Sequence, residues 1–310
     1  TPDTTVPEPT TTTVADDPVT SRAMAAAPYL YEGWGDPPEA TAVMEATGVS
    51  WFTMAFVLSS GGCTPAWDGQ RPLAGGVDEA TIASIRAAGG DVVVSFGGWS
   101  GTKLEEDCGS ADDLAAAYQQ VIDAHDLKAI DLDVEATAYT DPAARQRIVE
   151  ALGIVRAANP GLVVYVTIGA ARNGPDAALI QEAAAAGLEI DGWTIMPFNF
   201  GGVGEDMGAL SVQAAEGLHA TLVAAYGYDD AEAYAHMGIS SMNGVTDVGE
   251  TIDAGDFGEM LAYAEAHDLA RFTFWSVNRD RPCAGAAADA CSGIDQTDWE
   301  FTSIIADYAR

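Results

Sequence analysis

From Pro28 onward, short β-branched or aromatic runs alternate with Ala-rich stretches whose apolar positions recur at helical spacing. The runs are PYLYEGW, SWFTMAFVL (50–58), DVVVSFGG (91–98), AIDLDVE (129–135), LVVYVTIG (162–169), GWTIMPFNF (192–200), AHMGISSM (235–242) and RFTFWSV (271–277), and each predicts a strand. Between them, DEATIASIRAAG, ADDLAAAYQQVIDAH, DPAARQRIVEALGIVRAAN and DFGEMLAYAEAHD predict amphipathic helices, several opening on an Asp or Ser that can cap the first turn. TDWEFTSIIADYA predicts a last helix. Eight βα units over residues 25–310 predict an α/β protein with one domain, the (β/α)8 TIM barrel. A doubly wound sheet usually has fewer strands and a Gly-rich first turn, and no GxGxxG follows the first strand here.

The opening TPDTTVPEPTTTTVADDPVTS carries Thr, Pro and acid with almost nothing to bury, so ordering it is not repaid. Residues 1–24 are expected to form a flexible linker of the type that tethers secreted domains. The chain starts without Met or an apolar signal region and reads as a mature form. No run reaches the ~18 consecutive apolar residues of a membrane span.

Acidic residues number 47 against 13 basic ones, for a formal charge of −34. No basic stripe is left to hold phosphates, so nucleic acid and anionic membranes are not expected partners, and a monomer is expected. The charge reads as solubility, with salt adaptation or a lysine-poor genome as its two sources. Four cysteines, Cys63, Cys108, Cys283 and Cys291, form no CxxC pair and have no metal-like His spacing. Their even number and wide spacing suggest disulfides and secretion; of the three pairings, Cys63–Cys108 with Cys283–Cys291 is favoured over the others and over four buried free thiols. His125, His219, His236 and His267 are scattered, so neither a metal nor a cofactor is expected.

IDLDVEA (130–136) alternates Asp131, Asp133 and Glu135 with Ile130, Leu132 and Val134. Side chains alternate across a strand, so the three acids line one face at intervals of ~6 to 7 Å while the apolar set faces the helices. In a barrel the acidic face is the interior. Crowded carboxylates drive their pKa values apart, and a site needing a protonated acid beside an ionised one is built from that conflict. An edge strand with a solvated face is the competing reading. Glu135 comes last, at the end of the strand where barrel enzymes carry their chemistry.

This strand resembles that of the family 18 glycoside hydrolases, the chitinase family, whose fourth strand reads DxxDxDxE. Asp131, Asp133 and Glu135 match the last three positions, and Lys128 stands where the first Asp would be. SFGG (Ser95–Gly98) matches the third-strand SxGG motif, MPFN (Met196–Asn199) falls where the sixth strand carries Met-x-Tyr-Asp, and FWSVNRD ends the eighth strand with the family's Trp at Trp275. CTPAWDG, MGALSVQAAEGLHATL and WSVNRDRPC are similar to secreted bacterial chitinases of the family.

The resemblance implies retaining, substrate-assisted hydrolysis of β-1,4 linkages between N-acetylglucosamine units, with chitin or chito-oligosaccharides as substrate. It implies Glu135 as proton donor, Asp133 as the partner of the acetamido nitrogen, Asp131 as sharing a proton with Asp133, and Trp275 as the floor beneath the sugar. Ser95, Gly97 and Gly98 are expected to let the backbone pass close to the acidic strand, with no chemistry of their own. Asn199 is a candidate to hydrogen-bond substrate or Asp133, or else to cap a loop. Met196, Phe198 and Phe200 occupy the sixth-strand motif, where relatives place a Tyr hydroxyl on the acetamido carbonyl; Tyr29, Tyr31 and Tyr139 are candidates to replace it. An endo-β-N-acetylglucosaminidase acting on N-glycans and a chitin-binding protein without activity are the alternatives.

Overall fold

The computed structural model describes residues 18–283 and 289–310. Eight strands form the barrel wall: β1 (Tyr29–Tyr31), β2 (Trp51–Ser59), β3 (Asp91–Gly97), β4 (Ala129–Val134), β5 (Val163–Gly169), β6 (Gly192–Met196), β7 (Met237–Met242) and β8 (Arg271–Trp275). All pair in parallel in chain order, with helices between them, so the chain is the expected (β/α)8 barrel. Every expected strand is present, most of them shorter at one or both ends than the apolar runs that announced them.

No ladder joins β1 to β8 among the described residues. Side chains bridge that seam. Asn278 accepts from the Tyr31 N–H at 3.0 Å and donates to the Tyr31 carbonyl at 2.8 Å, as a neighbouring strand would. Thr273 Oγ1 donates to Ala27 O at 2.6 Å. Two small additions were not legible as strands: Pro65–Trp67, antiparallel to β2, and a hairpin of Gly244–Val245 with Thr251–Ile252.

Alternation along each strand sorts two kinds of interior. Ile130, Leu132 and Val134 are buried in the apolar layer between sheet and helices, with Ile148, Leu152 and Val155 of the following helix in the same layer. The opposite face lines the barrel, and there Tyr29, Thr53, Ser95, Asp131, Thr167, Arg271 and Thr273 are all buried. A polar lumen replaces the branched apolar layers common in such barrels, which requires its groups to hydrogen-bond one another.

Residues 1–17 of the expected linker lie outside the described residues, and the rest of it departs from expectation. Pro18–Ala25 is a helix, and Ala23, Met24 and Ala27 pack on Trp51, Val93, Ala129 and Tyr165 at the N-terminal end of the barrel. The Thr/Pro-rich composition ahead of it masked a short apolar run, AMAAA, that plugs this end. Both expected disulfides are present, Cys63–Cys108 and Cys283–Cys291. No helix among the described residues is long and apolar enough to cross a membrane.

Candidate active site

The site is assembled where β4 reaches the C-terminal mouth. Asp131 and Asp133 are buried on β4, and Glu135 follows as the half-buried residue that starts the helix Ala136–Thr140. Gly97 makes this placement feasible. Its φ is +94°, and a Cβ there would stand 2.2 Å from the Asp133 carbonyl, so only glycine lets β3 lie this close to the acids. Gly98 donates its N–H to that carbonyl at 2.9 Å, and a Cβ on it would meet the Phe56 ring at 2.9 Å. Phe56 in turn stacks on Trp275, with centroids 5.5 Å apart and planes at 14°. Trp275 is thereby held at the end of β8 with part of its face open, and Tyr29 and Tyr31 flank it at 6.0 and 6.1 Å.

The three acids have different surroundings. Asp131 accepts from Tyr29 Oη at 2.7 Å, Ser95 Oγ at 2.5 Å and Thr167 Oγ1 at 2.7 Å, and Arg271 Nη1 donates to it as an ion pair. Asp133 Oδ1 is buried with no hydrogen-bond partner. Burial first, then the charges of Glu135 and Asp131, push the Asp133 carboxyl well above the usual carboxylate range against the opposing pull of Arg271 and Lys103. Burial also pushes Glu135 up to about 7, with Lys103 lowering it and Asp247 raising it. An acid poised near neutrality beside a buried, unpartnered carboxyl can hold one proton between them and release it to a bound group.

Two loops frame the mouth. Lys103 is buried, and its ammonium caps the carbonyls of Trp99, Ser100 and Gly101 at 3.1, 2.7 and 2.9 Å. Across from it, the buried Glu250 carboxylate accepts the backbone N–H groups of Asn199, Gly201 and Gly202 at 2.6, 2.7 and 2.8 Å, pinning the loop after β6. Met196 is buried at the end of β6, and Phe198 and Phe200 pack half-buried against the core.

Several expectations need correction. Ser95 is bonded directly to Asp131 rather than serving packing alone. Asn199 does not reach Asp133; it adopts φ +58° and its Nδ2 donates to Asp247 Oδ2 at 2.8 Å, the loop-capping alternative. Asp131 shows no hydrogen bond to Asp133, because its oxygens are taken by Tyr29, Ser95, Thr167 and Arg271. The hydroxyls of the three tyrosines named as candidates for the acetamido carbonyl all have partners within the protein. Tyr29 is committed to Asp131, Tyr31 to the Asp68 and Arg71 side chains, and Tyr139 to Asp176 O at 2.6 Å. Lys128 lies at the start of β4 paired with Asp91 at 2.9 Å, at the opposite end of the strand from Glu135.

Arg271, Thr167, Lys103, Asp247 and Glu250 escaped the sequence reading. Two of them left a signal: in RFTFW, Arg271 shares the parity of Trp275, and in VVYVTIG, Thr167 shares the parity of Tyr165, so both had to face the lumen. Among the described residues, no group of His, Cys, Asp and Glu is arranged to hold a metal.

No protein-family model matches the chain. It is 27% identical over 307 residues to a probable bifunctional chitinase/lysozyme of Escherichia coli (strain K12), covering 92% of this chain and 34% of that protein. It is 29% identical over 279 residues to endochitinase 11 of Metarhizium anisopliae, covering 83% of this chain and 53% of that protein. The chain thus spans about a third and about half of these curated relatives. The catalytic domain of a hyperthermophilic chitinase from Pyrococcus furiosus superposes with a TM-score of 0.82 at 25% identity, covering 91% of this chain and 93% of that one. Two relatives named chitinases and a chitinase catalytic domain of the same barrel shape thus share this chain's fold and are similar to it over most of its length, and the acidic strand stands at the mouth of that barrel.

Proposed function

We propose that the protein is a chitinase, cleaving β-1,4 linkages between N-acetylglucosamine units with retention at the anomeric carbon. The observation that carries this reading is the pairing of Glu135, raised to about 7, with a buried Asp133 whose Oδ1 has no partner. In the reaction, Glu135 gives its proton to the glycosidic oxygen as the C1–O bond breaks. The substrate's own acetamido oxygen bonds to C1, forming an oxazolinium ion, and Asp133 accepts the acetamido N–H, orienting the group and offsetting its positive charge. Water then attacks C1 as the bond from C1 to the acetamido oxygen breaks and restores the acetamide, and Glu135 takes one proton from the water, leaving the new anomeric hydroxyl. Trp275 offers an indole face beneath the sugar, where C–H surfaces pack and water is excluded.

Phe198 and Phe200 supply no hydroxyl to the acetamido carbonyl, and a missing donor of this kind costs ~2 to 4 kcal/mol of transition-state stabilisation. The substrate class is supported by a solved P. furiosus chitinase domain, a catalytic-site mutant in complex with chito-oligosaccharides. Two disulfides support a location outside the reducing cytoplasm, and the protein is taken to act as a monomer.

Product analysis of a defined chito-oligosaccharide with anomer detection tests the reading. The first-formed product should be the β-anomer, and Glu135→Gln should abolish cleavage while binding persists. An α-anomer would exclude the substrate-assisted route. Wild type and Glu135→Gln that bind chitin and are equally inert would make the chain a binding protein.

A further inference from the structure

Arg271 opens β8 with its side chain inside the barrel, where both it and Asp131 are 0% exposed. Nη1 donates to Asp131 Oδ1, and Nη2 donates to Thr53 Oγ1 at 2.9 Å. The guanidinium lies between two rings, 5.4 Å from the Tyr29 centroid and 4.6 Å from that of Tyr165. A carboxylate offers about four acceptor sites. Here each oxygen of Asp131 has two donors: Arg271 and Thr167 on Oδ1, Tyr29 and Ser95 on Oδ2. Nothing is left on Asp131 to take a proton from Asp133, whose own Oδ1 is buried without a partner.

We propose that Arg271 is a positioning residue of this site: by holding Asp131 as its counter-ion, it removes Asp131 from proton exchange and leaves Asp133 and Glu135 to trade the proton during turnover. The inference rests on the hydrolase reading above, in which Glu135 both gives and regains a proton. The groups acting on Asp133 are Glu135 and Asp131, which raise it, and Arg271 and Lys103, which lower it. Those acting on Glu135 are Lys103 and Asp247. Tyr29 and Tyr165 face the guanidinium and, with Ser95, Thr167 and Thr53, complete the shell around the pair.

The charges make the variants predictable. Asp131→Asn leaves the Arg271 cation uncompensated beneath Asp133, which favours the ionised carboxylates and moves the pH profile of kcat/KM to lower pH. Arg271→Met has the opposite sign. The double variant removes one charge of each sign and returns the profile to its place. Arg271→Lys keeps the cation and holds the profile even if its point charge lowers the rate.

The test is kcat/KM from pH 4 to 9 on a chromogenic chitobioside, using the full chain with its disulfides. The expected result is an acid displacement of about half a pH unit or more for Asp131→Asn, wild-type limbs for the double variant, and a kcat for the double at least about tenfold above that of Asp131→Asn. Coincident profiles for wild type and Asp131→Asn, or a double variant no faster than Asp131→Asn, would make Asp131 a member of the relay and overturn the proposal. Each single variant strands a buried charge; if it fails to fold, the double decides alone, because loss of both partners of a buried pair is tolerated better. Limbs of the double at the wild-type position then support the proposal and displaced limbs refute it. A wild type that cleaves no chito-oligosaccharide would refute the activity, and this inference with it; an active wild type with a displaced double refutes the role of Arg271 only.

Discussion

The raised Glu135 carboxyl predicts that the proton donor destabilises the fold above neutral pH. Burial lifts the group from 4.5 to about 7. At ~1.4 kcal/mol per pKa unit this corresponds to at most ~3 kcal/mol, and water reaching a half-buried side chain brings it to ~1 to 3 kcal/mol. The sign follows from proton counts. Between the two values the folded state holds a proton that the unfolded chain has released, so stability falls as pH rises. The contribution is fully present below the unfolded pKa and lost as pH passes the folded one, near 7. Glu135→Gln carries no ionisable group and escapes this loss. Thermal melts from pH 4.5 to 8.5 should show wild type and variant coinciding at the acid end. At the alkaline end the variant should be ahead by roughly 2 to 12 °C, given ~2 to 4 °C per kcal/mol for a domain of this size. A gap independent of pH, or none at pH 8.5, would refute the claim that desolvation of this carboxyl sets its acidity. Asp133, raised in the same direction, remains in both proteins and adds a shared slope.

Gly97→Ala should cost at least ~2 kcal/mol in urea melts and lower kcat, because its Cβ would meet the Asp133 carbonyl at 2.2 Å from a backbone at φ +94°. Glu250→Gln replaces one carboxylate acceptor by a donor among three backbone N–H groups. The expected loss is ~1 to 3 kcal/mol, with a raised KM as the loop after β6 loosens, measured by melting and by steady-state kinetics. Replacing Cys63 and Cys108 together by Ser releases a loop closed across a separation of 45 residues. Chain entropy puts the loss at ~4 kcal/mol, and a urea midpoint unchanged by the substitution would contradict that account.

Much of the fold was legible because strand and helix periods are local. Eight β-branched runs, their order and the inward parity of Asp131, Asp133 and Glu135 follow from alternation alone, and parallel pairing with helical crossovers leaves a barrel as the compact solution. The start of the folded region was misplaced because the apolar run at Ala23–Ala27 is too short to stand out until the barrel end it fills is known. What alternation cannot supply is which lumen residue of one strand stands level with which residue of another. Arg271 meets Asp131 across 140 residues of sequence, and Asn199 turns to Asp247 rather than to Asp133. Those meetings depend on strand stagger and loop course around the closed ring. The acids themselves were written in the sequence, but their division of labour was decided by tertiary structure: hydrogen-bond donors converge on Asp131, miss Asp133 Oδ1, and leave Glu135 at the boundary between low dielectric and solvent.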